Sequence, residues 1–130
     1  GLGLAQGAFE MALTYANKGE QFNQPIAKNQ AIQFKLADMA LKIELARNTL
    51  YTACKLKDHG KPFGKEAAMS KLYASEVAKE VADEALQIFA GAGLFKNNPI
   101  ERFYRDQRIL QIGEGTSEIL RMVIARHLGV

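Results

Sequence analysis

The sequence has a single cysteine, no tryptophan and three prolines, and no apolar run long enough to span a bilayer. Each scarcity excludes something. One thiol, Cys54, cannot form an intrachain disulfide and fits a reducing compartment. A membrane helix needs roughly 18 or more consecutive apolar residues, and none is found. The opening, Gly1-Leu-Gly-Leu-Ala-Gln, lacks the basic segment of a secretory signal. It also lacks an initiator Met and begins abruptly on apolar residues, which predicts a piece of a longer protein. Neither charge sign dominates: 17 basic against 14 acidic residues give a net +3, which argues against strong nucleic-acid binding even with a pI near 9.0. His59 and His127 lack acidic or cysteine partners at ligand spacing, so no metal site is read. No β-type alternation of useful length occurs.

What remains is helical periodicity in a chain of 130 residues, enough for one domain with a real core. Leu2, Ala5, Phe9, Ala12 and Ala16 predict a helix over 2–18, stopped by Gly19 as a helix-ending glycine. Gln21, Asn23, Gln24 and Pro25 mark a loop. Ile32, Leu36, Met39, Ile43, Ala46, Leu50 and Ala53 repeat with a seven-residue period and predict a long helix over 27–58. Phe34, Leu41 and Leu45 add a second apolar stripe, so two faces are expected to be buried, one of them beyond the domain itself. Cys54 is read as inert core. The Gly60-Lys-Pro62-Phe-Gly64 break precedes an alanine-rich helix over 65–90, whose small residues permit close packing. A short helix near 100–108 and a last one near 116–128 follow. The expected fold is all-α: an antiparallel up-and-down four-helix bundle with a short extra helix, forming one domain over 1–130. Arg105-Asp106 is expected to form an ion pair or a helix-end network.

The run Gln111-Ile112-Gly113-Glu114-Gly115-Thr116-Ser117-Glu118-Ile119-Leu120-Arg121 is the most informative stretch. A carboxylate is pinned between two glycines, immediately before an apolar-periodic segment opening with hydroxyl residues. Glycine allows close ligand approach and positive φ at low cost, and Thr116 and Ser117 are good helix N-caps. A solvated turn glutamate is the bland alternative.

Four segments, taken together, resemble the C-terminal helical domain of the acyl-CoA dehydrogenases. They are Gln21 to Ile26 (QFNQPI), Gln30 to Met39 (QAIQFKLADM), Gln87 to Gly93 (QIFAGAG), and Arg105-Asp106 continuing through Ile112 to Ile119 (IGEGTSEI). The similarity covers essentially the whole chain. It implies that N-terminal helical and middle β domains are absent here, that the full subunits are homotetramers (dimers of dimers), and that FAD lies between subunits. It also implies oxidation of an acyl-CoA thioester to the trans-2-enoyl-CoA, with electrons passed to an electron-transferring flavoprotein, in bacterial cytoplasm or the mitochondrial matrix.

By the same resemblance, Glu114 matches the base that removes the α-proton while hydride leaves Cβ for the flavin N5. Its backbone N–H matches a group that polarises the thioester carbonyl. The role requires desolvation strong enough to overcome the dipole of the following helix. Some relatives place the base upstream of Gly1 instead. Gly115 and Gly113 match substrate-contacting positions, whereas Gln30, Phe22, Gln87, Gly91, Thr116 and Glu118 match positions that contact FAD. Each has a plainer reading: cap for Thr116, first-turn acid for Glu118, helix end for Gln87 and Gly91, exposed helix start for Gln30, core for Phe22.

Three departures from the family pattern carry expectations. Gly19 and Asn23 replace the arginine and glycine of an Arg-x-x-Phe-Gly segment, which removes a guanidinium from the FAD pyrophosphate, with Lys18 as a partial stand-in. Gly113 replaces a tyrosine frequent in straight-chain members, widening the pocket toward branched, cyclic or aromatic acyl groups. Ala90 replaces a common glycine. Two other readings stand beside the enzyme: a non-catalytic oligomerisation module, favoured by the missing arginine, and a nucleic-acid-adapted relative, which would need a clustered basic face. As a lone piece the chain is expected to be inactive and to self-associate.

Overall fold

The computed structural model describes all 130 residues, and it is all-α apart from one small hairpin. Helix α1 spans Leu2–Lys18, α2 Gln30–Asp58, α3 Gly64–Phe89, α4 Ile100–Asp106 and α5 Ser117–Leu128. Short 3₁₀ turns occupy Ile26–Lys28, Ala90–Leu94 and Gln107–Gln111. The long helix starts at Gln30 rather than at residue 27, because Asn29 takes an extended conformation (φ −76°, ψ 126°) that separates it from the preceding 3₁₀ turn. No helix is long and apolar enough to cross a membrane.

Residue pairings give the direction of each leg. Lys35 binds Glu84 and Lys42 binds Glu80, so α2 runs opposite to α3. Gly1 lies against Ala74 and Tyr15 stacks on Phe89, so α1 and α3 run the same way. The return is made by α4 and its 3₁₀ extension: Phe103 reaches Gly7 in the middle of α1, and Leu110 borders a groove with Gly1 and Leu2. The short helix expected as an extra is thus the fourth leg of the bundle. Helix α5 lies outside it on α3, tied by Arg121–Glu76 at 2.5 Å.

The core explains why α3 is central. Ala5, Ala8, Ala12 and Ala16 of α1 face Ala74, Val77, Ala78, Val81, Ala85 and Ile88 of α3, all buried. Alanine on both surfaces lets the helix axes approach closely, and Met39, Ile43, Phe89 and Ile100 fill the remaining space. At Gly7 an added Cβ would sit 2.8 Å from the Phe103 ring, so glycine there is what lets α4 cross α1.

The chain itself buries one face of α2; Phe34, Leu41 and Leu45, the stripe expected to be covered from beyond the domain, are exposed. Two expectations are corrected. Cys54 is exposed rather than core, one helical step round from the buried Ala53. Arg105 pairs with Glu101, at 2.7 Å, and not with Asp106: the i,i+4 spacing stacks the two side chains, which adjacent residues cannot do. This guanidinium holds the Glu101 carboxyl below the usual carboxylate range. Helix α1 ends at Lys18 with Gly19 as its C-cap, as expected, and the cap is extended (φ −72°, ψ 125°), a backbone conformation open to any residue.

Residues 20–25 close as a hairpin, β1 (Glu20–Gln21) against β2 (Gln24–Pro25). Its central residues, Phe22 and Asn23, have φ of 53° and 62°. Asparagine tolerates that conformation better than most residues, which accounts for its standing in for the family's glycine. Ala90 is more costly, with φ 50° and ψ −139°, a region close to glycine-only. Its strain is about 1 kcal/mol or more. Ala90→Gly is therefore expected to stabilise the fold by about 1 kcal/mol, raising a thermal midpoint by about 4 °C. A scanning-calorimetry midpoint unchanged or lowered in the variant would contradict this.

Candidate functional site

The Glu114 turn arises where the 3₁₀ extension after α4 runs out of partners. Ile112 and Gly113 both donate to the Ile109 carbonyl, at 3.0 and 2.8 Å, and the backbone then reverses. Glu114 has φ 56° and Gly115 φ 99°. A glutamate in the left-handed region is disfavoured by its Cβ, and such residues persist only where the surroundings hold them. Gly115 supplies the conformation at little cost; Glu114 does not. Its carboxylate is exposed and joins none of the ion pairs of the chain. Nothing within these 130 residues dries it, so any desolvation has to come from groups outside the chain.

Thr116 caps α5 as expected, its hydroxyl oxygen accepting the Ile119 N–H at 3.4 Å. Glu118 lies in the first turn of α5, and its carboxyl is held below the ordinary range by its own backbone N–H and then by the Thr116 hydroxyl. The carboxylate thus complements the helix N-terminus. Beside them opens a polar cleft of about 360 Å³, bordered by Lys79, Arg108 and Arg121 as well as Thr116 and Glu118. The Ser117 Oγ, on its wall, is buried without a hydrogen-bond partner. Glu76, paired with Arg121 at 2.5 Å, and Glu118 also line the cleft, so Lys79 and Arg108 are the cations outside any ion pair there, beside the N-terminus of α5 and the unused Ser117 hydroxyl. Lys79 and Arg108 gave no signal in the sequence: they lie 29 residues apart and only the packing of α3 against the 3₁₀ extension brings them to one cleft.

Gly113 is half-buried, and its φ is not positive. A Cβ there would meet only Ile109, at 3.4 Å or more, which is ordinary contact. No conformational or packing constraint within the chain demands glycine at this position.

The remaining candidates do not join this turn. Gln87 and Gly91 are exposed at the C-terminal end of α3, and Lys71, which bonds the Glu114 turn, is near its start. Sixteen residues of helix separate Lys71 from Gln87, about 24 Å. Gln30 is level with Gln87, since α2 runs antiparallel to α3 with Lys35 on Glu84. Phe22 is at the same end, on the hairpin that follows α1 beyond the Tyr15–Phe89 stack, and it is 94% exposed, which rules out a core role. The structure thus makes two groups: Gly113, Glu114, Gly115, Thr116 and Glu118 at one level of α3, and Phe22, Gln30, Gln87 and Gly91 at the other.

Comparison with known proteins follows this division of the molecule. The family described as the acyl-CoA dehydrogenase C-terminal domain matches residues 1–129. The mitochondrial short-chain specific acyl-CoA dehydrogenase of Bos taurus is 56% identical over 127 residues, 98% of this chain and 31% of its own length. The solved butyryl-CoA dehydrogenase of Megasphaera elsdenii superposes with a TM-score of 0.97 at 46% identity, over 99% of this chain and 34% of that one. The FAD complex of PigA superposes at 0.95 and 34% identity, over 98% and 33%. The chain therefore spans about a third of the length of these relatives. With one family model matching nearly every residue and the fold reproduced throughout, the chain belongs to the acyl-CoA dehydrogenases, as their C-terminal domain.

Proposed function

We propose that this chain is the part of an acyl-CoA dehydrogenase that supplies the catalytic base and part of the cofactor and substrate site. The observation that carries the reading is Glu114: an exposed, unpaired carboxylate held at φ 56° between two glycines, in a turn whose backbone conformation a glutamate rarely adopts. A carboxylate so presented removes the α-proton of a thioester once other parts of the subunit close over it and exclude water. In this reading the backbone N–H of Glu114 polarises the thioester carbonyl and Gly115 contacts the substrate. The polar cleft with Thr116 and Glu118, where Lys79 and Arg108 are outside any ion pair, suits a polar part of FAD, and exposed Phe22, Gln30, Gln87 and Gly91 suit a second FAD contact from the opposite end. When bound, FAD supplies the acceptor for the hydride that leaves Cβ.

The separation of the two groups, about 24 Å along α3, supports a site shared between subunits, one copy giving the Glu114 turn and the next the hairpin end. The uncovered stripe of Phe34, Leu41 and Leu45 supports a homo-oligomer, a dimer of dimers. At about a third of its relatives' length, these 130 residues are expected to be inactive by themselves. An electron-transferring flavoprotein is the acceptor in this reading, and the bacterial cytoplasm or mitochondrial matrix the compartment. The test is spectroscopic: a full-length subunit carrying this domain should contain flavin whose absorbance bleaches anaerobically on addition of an acyl-CoA. Tight assembly with no flavin and no bleaching would favour the non-catalytic oligomerisation module instead.

Gly113 bears on the substrate. Since the fold leaves room for a Cβ there and does not use it, the missing side chain is read as space for the acyl group, suiting branched, cyclic or aromatic thioesters. Gly113→Tyr is expected to reduce kcat/KM for isobutyryl-CoA about tenfold while leaving butyryl-CoA within about threefold, a steric effect of the size of one to a few methylenes. A wild-type enzyme that strongly prefers butyryl-CoA over branched thioesters would reject this reading.

A further inference from the structure

We infer that Lys71 is a positioning residue for the Glu114 turn, an inference that rests on Glu114 being the base. Lys71 is half-buried on α3, and its Nζ donates to the Gly115 carbonyl oxygen at 2.6 Å, 44 residues away in sequence. It is in none of the ion pairs. An ammonium without a carboxylate, committed instead to one backbone carbonyl, is a specific use of a lysine whose side chain carries a large rotamer entropy.

The recipient explains the use. No other hydrogen bond from α1, α2 or α3 reaches residues 111–116; the remaining bonds of the turn are local, with Arg108, Ile109, Ile119 and Leu120 among the partners. Gly115 directly follows Glu114, and both have positive φ, so a small rotation at this point swings the Glu114 carboxylate through a large arc. Lys71 ties that pivot to α3, the helix carrying most of the alanine and valine core. Docking of α5 itself rests on other contacts, since Leu120 is buried and Arg121–Glu76 at 2.5 Å ties α5 to α3 a turn and a half beyond Lys71. Loss of Lys71 should thus free the turn while leaving α5 in place.

The experiment uses the full-length, FAD-loaded enzyme with butyryl-CoA and its α-dideuterated form as probes. Lys71→Met is expected to lower kcat about tenfold, a modest fraction of what a 1 Å misplacement can cost, with KM and flavin content within twofold of wild type. The primary isotope effect on the α-position should rise, since a misaimed base makes proton removal more rate-limiting, and Lys71→Arg, which keeps a donor of similar reach, should restore most of the rate. A lowered rate with an unmoved isotope effect, or an unchanged kcat, overturns the proposal. Should Lys71→Met not fold, Lys71→Gln is measured by the same two quantities and judged alike. Glu114→Gln run in parallel separates the failures: if it keeps the wild-type rate, the base assignment is lost, whereas an inactive Glu114→Gln beside a fully normal Lys71→Met overturns the positioning role alone.

Discussion

Glu114→Gln is expected to slow acyl-CoA-dependent flavin reduction in the full-length subunit by about 10³-fold, the middle of the range for removing a positioned general base. The amide keeps the size of the side chain and cannot take up a proton. The change costs the fold little, because the carboxylate is exposed and makes no ion pair within the chain. The backbone of the turn, with its bonds to Ile109 and from Lys71, is unaffected by the substitution. Flavin content and thioester binding should therefore persist, so the loss falls on kcat and not on KM. Stopped-flow bleaching at saturating butyryl-CoA measures it. A rate within tenfold of wild type would remove Glu114 from the chemistry and leave a solvated turn residue.

The second large effect concerns the cofactor. Gly19→Arg is expected to tighten FAD binding about 10- to 100-fold, the yield of charge-assisted hydrogen bonds worth about 1.5–3 kcal/mol. The backbone at this position suits the change: φ −72° and ψ 125° are open to any residue. One contact must give, since a Cβ would lie 3.1 Å from the Tyr15 carbonyl oxygen, a few tenths of an ångström too close. Lys18, exposed beside it, lacks the forked geometry that grips a pyrophosphate. Gly19→Ala is the control and should gain nothing. Retention of flavin through extended dialysis reads the difference. A wild-type enzyme that keeps stoichiometric flavin under those conditions, with no gain from arginine, would refute the weak-binding expectation.

Much of this was legible from residues alone, and the misses share a cause. Helix positions followed from apolar periodicity, and Thr116 as cap followed from a hydroxyl set before an apolar run. Gly19 ends α1 where a helix-ending glycine is expected, although its identity does not reveal which of glycine's allowed conformations is used. Cys54 was misread as core because apolar character alone cannot tell the edge of a helical stripe from its centre. The substitution at Ala90 reads as a mild departure until its positive φ is seen. At the site, the glycine-flanked carboxylate announced itself, whereas Lys71, Lys79 and Arg108 did not. Isolated cations among 17 carry no local pattern.

The chain by itself determined an all-α domain, the extent of its helices to within a few residues, the family motifs and the one carboxylate to which the chemistry is assigned. These depend on local spacing and side-chain type, which are written along one dimension. Only the tertiary structure decided that α4 is the fourth leg of the bundle, that one face of α2 stays open, that the candidate residues divide between two ends of α3, and that a lysine 43 residues before Glu114 holds its turn. Those relations are distances between segments remote in sequence, set by how alanine-faced helices pack, and periodicity carries no record of them.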